Sequence, residues 1–316
     1  MTEERTRERL KELQALPLER KIGFTCARIV EWYNHYNGQV YVSFSGGKDS
    51  TVLLHIARSL FPDIKAMYVD TGLEYPEIKE FVKTFDNVDI IRPKMSFKEV
   101  IEKYGYPVVS KEVSQCIYEG RGKPLSLKAQ RFDETTAKAQ SYGGRYSLAR
   151  YKYLLDSDIP ISDRCCKVMK KDPAKRYERQ TGCYAIVGTM AGESRLRESE
   201  WLKRGCNSFD SKRAISKPMS FWTEQDVLQY IKLKNLPLAS VYGDIIEVDG
   251  KLKTTGCQRT GCVFCLFGLS QDKPQNRIQR LALTHPKLHD YCINKLGLKE
   301  VMEFINGSVH PRKQYR

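Results

Sequence analysis

An α/β fold, a parallel sheet with helices on both faces and a helical, cysteine-rich C-terminal extension, is what the sequence predicts. Three observations predict it. Short β-rich runs alternate with amphipathic helical runs between residues 39 and 105. CYAIVGTM (183–190) returns later as a strand of the fully buried type. The chain has 316 residues, 41% of them hydrophobic, enough to bury about three quarters of its unfolded surface without disulfides.

The elements follow in order. Residues 1–37 read as an N-terminal helical segment: Leu10, Leu13, Leu16 and Leu18 recur in a charged background, then comes an aromatic stretch at Trp32 and Tyr33. The α/β domain is expected over 38–250. QVYVSFS (39–45) is a strand, SGGKDS (45–50) a turn and TVLLHIARSLF (51–61) an amphipathic helix. IKAMYVDTG (64–72) is a second strand, and PEIKEFVKTF (76–85) a helix with Pro76 in its first turn. VDIIRP (88–93) is a third strand, and SFKEVIEKYG (96–105) a helix capped by Ser96. Residues 106–160 are less regular. WTEQDVLQYIKLKN (222–235) is a helix with Thr223 as its cap and Val227, Leu228, Tyr230 and Ile231 on its apolar face. The extension, 251–316, holds a cysteine-rich segment and two or three short helices.

Composition narrows the function classes. Lys and Arg number 53 against 38 Asp and Glu, a net charge of +15, which calls for an anionic partner such as a nucleotide, a nucleic acid or an acidic protein. No apolar run reaches the roughly 18 residues of a membrane span. MTEERTRERLKELQ at the N-terminus has charges of both signs and no apolar signal region, so a cytoplasmic protein without a membrane partner is expected. Ten cysteines in a reducing compartment point to metal binding or redox chemistry rather than to disulfides.

Ser45-Gly46-Gly47-Lys48-Asp49-Ser50 lies between a strand and a helix. Adjacent glycines allow a tight turn and close backbone approach to a ligand. The unpaired N–H groups and dipole of the following helix face whatever fills the loop. Ser45 and Ser50 add hydroxyls and Lys48 a cation, together a cradle for pyrophosphate. The pattern is not that of the Walker A loop.

SGGKDS after a strand resembles the PP-loop of the ATP pyrophosphatase superfamily, and within it the chain resembles the phosphoadenosine phosphosulfate (PAPS) reductase family, iron–sulfur type. Asp70-Thr71-Gly72 with Pro76-Glu77 is similar to the family's D-T-G…P-E segment beside the nucleotide. Gly188 to Arg197, with Arg195 and Arg197, is similar to its phosphate- or sulfate-binding segment. Pro218-Met219 through Trp222-Thr223, Asp226-Val227, Tyr230-Ile231 and Leu236-Pro237 is similar to its P-L-x-x-W-T-x-x-D-V-x-x-Y-I…L-P segment. The resemblance implies an adenine nucleotide α-hydrolase-like fold that holds ATP or an adenylyl sulfate. It leaves open whether Asp49 orients Mg²⁺ or the α-phosphate. Asp70, read at the carboxyl end of a parallel strand, is where such sheets bind ligands.

Cys257-x4-Cys262-x2-Cys265 sits in two Thr-Gly-Cys turns, and the adjacent pair Cys165-Cys166 precedes it, flanked by Arg164, Lys167, Lys170 and Lys171, which favour thiolates. Spacing alone also admits a structural zinc. The resemblance implies a [4Fe-4S] cluster. The preferred ligands are Cys166, Cys257, Cys262 and Cys265; the alternative takes both Cys165 and Cys166 with two of the late three.

The family's reductases carry a C-terminal Glu-Cys-Gly-x-His segment whose cysteine attacks sulfur, whereas this sequence ends NGSVHPRKQYR and has no cysteine after Cys292. Other superfamily members transfer sulfur to tRNA or DNA after adenylylation of the acceptor, drawing sulfur from a donor such as a cysteine desulfurase. The first expectation is therefore an enzyme of that kind, with Lys48, Asp49 and Cys165 as catalytic candidates. Adenylyl sulfate reduction through Cys165 or Cys292, and a non-catalytic nucleotide- or redox-sensing role, are the alternatives. Segment 251–316 holds twelve Lys/Arg against four Asp/Glu, and 161–217 fourteen against seven, charge that suits a phosphate backbone. Tyr142, Tyr146, Tyr151 and Tyr153 lie among the basic residues of 111–155 as candidate stacking partners.

Overall fold

The computed structural model describes residues 5–141, 143–272 and 274–308. Contacts divide the chain into two compact units. The first holds 1–70, 74–92 and 174–260; the second holds 71–73, 93–173 and 261–316.

The first unit is built on six strands: β1 (Val40–Ser43), β2 (Lys65–Val69), β3 (Val88–Ile91), β4 (Tyr184–Val187), β5 (Asn207–Ser208) and β6 (Ile215–Ser216). Their order is β3-β2-β1-β4-β6-β5, parallel throughout except for the β5–β6 pair at one edge. Val40, Tyr41 and Val42 are consecutive and all buried, so β1 is covered on both sides, as a central parallel strand must be. Tyr41, Met67 and Ala185 form one core layer with Tyr177. The Tyr41 hydroxyl donates to Glu178, itself paired with Arg213, so its burial leaves no orphan. A hairpin of β7 (Ile245–Val248) and β8 (Lys251–Thr254) completes the strands.

The helices that matter for the site are α1 (Arg7–Gln14), α2 (Leu18–His35), α3 (Lys48–Leu60), α4 (Pro76–Lys83), α5 (Asp172–Thr181), α6 (Arg195–Arg204) and α7 (Glu224–Lys234). Helices α1 and α2 cluster with the sheet in the first unit. The physical reason is specific. Buried Lys21 of α2 donates to Asp226 of α7 at 2.6 Å and to the Gln14 carbonyl at 2.7 Å. Trp222 Nε1 donates to Thr25 Oγ1 at 2.8 Å, and that hydroxyl donates to the Pro218 carbonyl. Asp226 also accepts from the N–H and hydroxyl of Thr223, closing the expected cap of α7.

In the second unit the expected Ser96 cap forms a reciprocal box with Glu99. The irregular 106–160 stretch contains a helix, Lys111–Gly122, that composition alone did not predict. Its Arg121 guanidinium donates to the carbonyls of Leu154, Leu155, Ser157 and Ile159, fixing that loop. Val108–Val109 pairs in parallel with Leu266–Phe267, which ties this stretch to the cysteine-bearing segment across long sequence separation. Helical stretches that follow among the described residues include Arg277–Thr284, Pro286–Asp290, Tyr291–Lys295 and Leu298–Ser308.

Candidate nucleotide site and cysteine pocket

β1 ends at the point where the sheet order reverses: β2 and β3 lie to one side, and β4 with the edge pair to the other. A crevice beyond the carboxyl ends of parallel strands at such a point is where these sheets take ligands. The Ser45–Ser50 loop occupies it. Gly46 has φ +70°, and a Cβ there would stand 2.8 Å from Ile78 and Val82 of α4. Only glycine satisfies both demands. Ser50 Oγ accepts the Ser45 N–H at 3.1 Å and lies 3.0 Å from Ser45 Oγ, so the two hydroxyls brace the turn. Gly47 precedes α3 without a side-chain cap, so the first-turn amides of that helix border the loop.

Lys48 and Asp49 take different positions. The Lys48 side chain is buried, with its ammonium 2.6 Å from the Gln258 carbonyl and 3.0 Å from Glu224. Its N–H donates to the Tyr242 hydroxyl at 3.1 Å, which lies 2.7 Å from Thr260 Oγ1. Asp49 Oδ1 is buried without a hydrogen-bond partner among the described residues. Burial raises its pKa above the carboxylate range, against the opposing pull of Lys48, Arg259 and Arg197. Gly188, at the end of β4, lets that turn approach the Asp49 carbonyl; an added Cβ would lie 3.1 Å from it. Glu193 bonds both Arg197 of α6 and Arg259, the latter at 3.4 Å, while accepting the Met190 N–H at 3.0 Å. Arg195 stands exposed in the first turn of α6.

Asp70 is buried and ion-paired with Lys79 at 2.9 Å and Arg92 at 3.3 Å. Thr71 and Gly72 belong to the second unit, where Thr71 Oγ1 accepts the Leu73 N–H.

Four cysteines, Cys165, Cys166, Cys262 and Cys265, line one small pocket of the second unit together with Leu73, Phe97 and Met169. The Cys165 and Cys166 sulfurs are 4.0 Å apart. The Cys166 pKa is lowered because the Cys165 thiol donates to it, with Lys111 and Lys170 adding to the effect and burial opposing it. Cys165 is pushed up by the same bond and by burial, and burial holds Cys265 at about 11. Cys257 lies in the first unit, where its N–H donates to the Val241 carbonyl and its own carbonyl accepts from Thr254.

A profile of the phosphoadenosine phosphosulfate reductase domain matches residues 39–118 and 130–266. The chain belongs to this family. Among relatives of the PAPS reductase family, the adenosine 5'-phosphosulfate reductase of Staphylococcus epidermidis is 26% identical over 267 residues, 83% of this chain and 85% of that protein. An uncharacterized protein of Methanocaldococcus jannaschii is 25% identical over 258 residues, 81% of this chain but 48% of that protein, so the chain spans about half of that relative's length. The PAPS reductase of Candida auris aligns over 78% of this chain and 97% of its own, at 14% identity and a TM-score of 0.38.

The cysteine pocket bears on the cluster that resemblance to this family implies. Among the described residues no three His, Cys, Asp or Glu side chains stand ready around a single metal ion. A cluster spreads its thiolates around several irons, so it does not require that geometry. An all-thiol donor set among apolar side chains, with Lys170 also on the wall, fits it chemically.

Sequence reasoning passed over Tyr242, Glu224, Gln258, Arg259 and Thr260. The last three lie inside the Cys257–Cys262 spacing, where they read only as turn residues. Of the candidate stacking tyrosines, Tyr146 is exposed between Arg131 and Lys138, Tyr151 lies beneath Arg150, and Tyr153 packs against Phe304. Tyr142 lies outside the described residues. No described helix is long and apolar enough to cross a membrane.

Proposed function

We propose that this chain is an enzyme that binds ATP or an adenylyl nucleotide at the Ser45–Ser50 loop and supports adenylylation-dependent sulfur transfer, with a nucleic acid as acceptor. The observation that carries the nucleotide reading is the Gly46–Gly47 turn at the sheet's reversal point, leading into α3, to which Gly47 lends no side-chain cap. Amide N–H groups and the helix dipole there favour a polyphosphate. Ser45 and Ser50 orient the loop, and Asp49 Oδ1, buried and unpartnered among the described residues, would hold Mg²⁺ against the phosphates. An acceptor oxygen attacks the α-phosphorus, pyrophosphate leaves, and a sulfur nucleophile then displaces AMP from the acceptor.

In this proposal Cys165, Cys166, Cys262 and Cys265 hold a [4Fe-4S] cluster. When bound, the cluster supplies a sulfur-binding, electron-carrying centre. The exposed Tyr146 with Lys138 beside it supplies an aromatic and basic surface for a nucleic acid.

Adenylyl sulfate reduction is the second reading, favoured by the similarity to the adenosine 5'-phosphosulfate reductase of Staphylococcus epidermidis. In it a thiol, Cys165 or Cys292, attacks the sulfuryl sulfur and AMP leaves; the added thiol then attacks the resulting S-sulfonate, forming a disulfide and releasing sulfite. The two readings separate in one experiment: anaerobically purified protein, assayed for iron and sulfide, is given ATP with tRNA or DNA, and separately adenylyl sulfate with a thiol. Pyrophosphate release stimulated by nucleic acid supports the first. Sulfite release without pyrophosphate, abolished by Cys165→Ser or Cys292→Ser, reverses the order.

A further inference from the structure

A cleft of about 220 Å³ opens in the first unit, bordered by α1, α2, the last turn of α6 and the start of β5. Its lining takes nothing from the Ser45–Ser50 loop or from the turn after β4. Arg204, on its wall, ends α6, about 10 Å along the helix axis from Arg197 in the first turn.

The walls are aromatic and the charge is basic. Phe24, Trp201, Phe209 and Phe221 supply the rings, with Phe24 edge-on to Phe221 at 6.3 Å between centroids. Trp201 is 5% exposed, and its Nε1 has no hydrogen-bond partner among the described residues, a state that folded chains seldom leave a buried donor in. Arg5, Arg28 and Arg204 face a single acid, Glu31. Glu31 is already held, by Arg28 at 3.3 Å and by the Asn207 amide at 2.8 Å. The α6 glutamates closest to Arg204 in sequence pair elsewhere, Glu198 with Arg7 and Glu200 with Lys217. The exposed side chains of Arg5 and Arg204 form no ion pair among the described residues. Gly205, at φ +69°, turns the chain after α6 and gives Arg5 room, since an added Cβ would lie 3.4 Å from the Arg5 Nη1. Arg5 therefore lies against the residue that follows Arg204.

We propose that this cleft is a second nucleotide site, which seats one base among its rings and the phosphate on Arg5 and Arg204. Apolar, aromatic walls with a few polar groups are the usual make-up of a small-molecule site. The cleft is smaller than the about 300–1,000 Å³ that encloses a drug-sized ligand, so one base enters while the sugar and phosphate stay at the exposed arginines. A planar guanidinium matches phosphate oxygens with paired donors. The same chemistry comes from a free mononucleotide or from one residue of a single strand.

The test is calorimetric titration of the full chain with AMP and with adenosine, counting sites. Wild type binds AMP at the cleft as well as at the loop, and Arg5→Ala or Arg204→Ala removes the cleft site alone. In Gly46→Ala, which empties the loop, AMP binds the cleft about ten-fold more tightly than adenosine, the worth of one charge-assisted contact. Adding Arg204→Ala erases that preference, and Arg204→Lys restores part of it. A single AMP site in wild type that both arginine variants leave unchanged overturns the cleft while the loop reading stands. A single site that Arg204→Ala removes supports the cleft and overturns the loop. No AMP site at all overturns both. A ten-nucleotide oligouridylate that binds the cleft at least ten-fold more tightly than UMP assigns it to a single strand; equal or weaker binding assigns it to a free nucleotide.

Discussion

Gly46 and Asp49 show how a few atoms set the properties of the loop. The positive φ at Gly46 and the van der Waals wall of Ile78 and Val82 leave no room for a methyl group. Gly46→Ala is expected to cost about 1–3 kcal/mol and to abolish adenylate binding at the loop, measured by denaturant unfolding and calorimetry together. Asp49 carries the opposite tension. Its pKa is raised chiefly by burial, so ionising it costs more in the folded chain than in the unfolded one. Its contribution to stability is therefore favourable at low pH and is lost as pH rises through the folded-state value. Asp49→Asn should raise the Tm of the ligand-free protein at about pH 8, with the gain shrinking toward about pH 4 as the native carboxyl protonates. A Tm lowered equally at both pH values would contradict this. Such a trade of stability for a ligand-ready carboxylate is a known signature of binding sites.

Elements are joined here by buried polar contacts. The Trp222-Thr223…Asp226-Val227 segment, first read through family resemblance, works structurally as a clamp on α2. Asp226 completes the capping box of Thr223 at the start of α7 and pairs with Lys21, and Trp222 reaches Thr25. Lys21→Met strands a buried carboxylate and should destabilise the chain by about 3–5 kcal/mol. The double variant Lys21→Met with Asp226→Asn should regain part of that, since no uncompensated charge remains. Chemical denaturation of the three variants against wild type measures both effects. The helix at Lys111–Gly122 teaches the converse point. Its glycines and mixed charge obscure the period, and it holds its place through long-range contacts such as those of Arg121.

Across the whole molecule, the sequence distributes its chemistry between two units. The Ser45–Ser50 loop, Arg197 and Arg259 belong to one, and Cys165, Cys166, Cys262 and Cys265 to the other. Under the proposed cluster, Cys166→Ser or Cys262→Ser should lose most bound iron and sulfide, whereas Cys257→Ser should keep them. Retention of iron by Cys262→Ser with its loss in Cys257→Ser would exchange the roles. A nucleic-acid acceptor predicts affinity that falls steeply with salt, because a chain of net charge +15 releases counterions from the backbone it covers. An affinity independent of salt would exclude that mode of binding.

Local pattern determined the alternating strands and helices, the Ser96 and Thr223 caps and the phosphate-loop turn, because each depends on neighbours within a few residues and on side-chain period. Tertiary structure decided what depends on residues far apart in the chain. It brought Gln258, Thr260 and Tyr242 onto Lys48, set Glu193 between two arginines, and gathered two cysteine pairs about a hundred residues apart into one pocket. Burial and long-range hydrogen bonding have no period along the chain. A residue's type and spacing can nominate it for a site, but the company it keeps there is settled only when the backbone has closed.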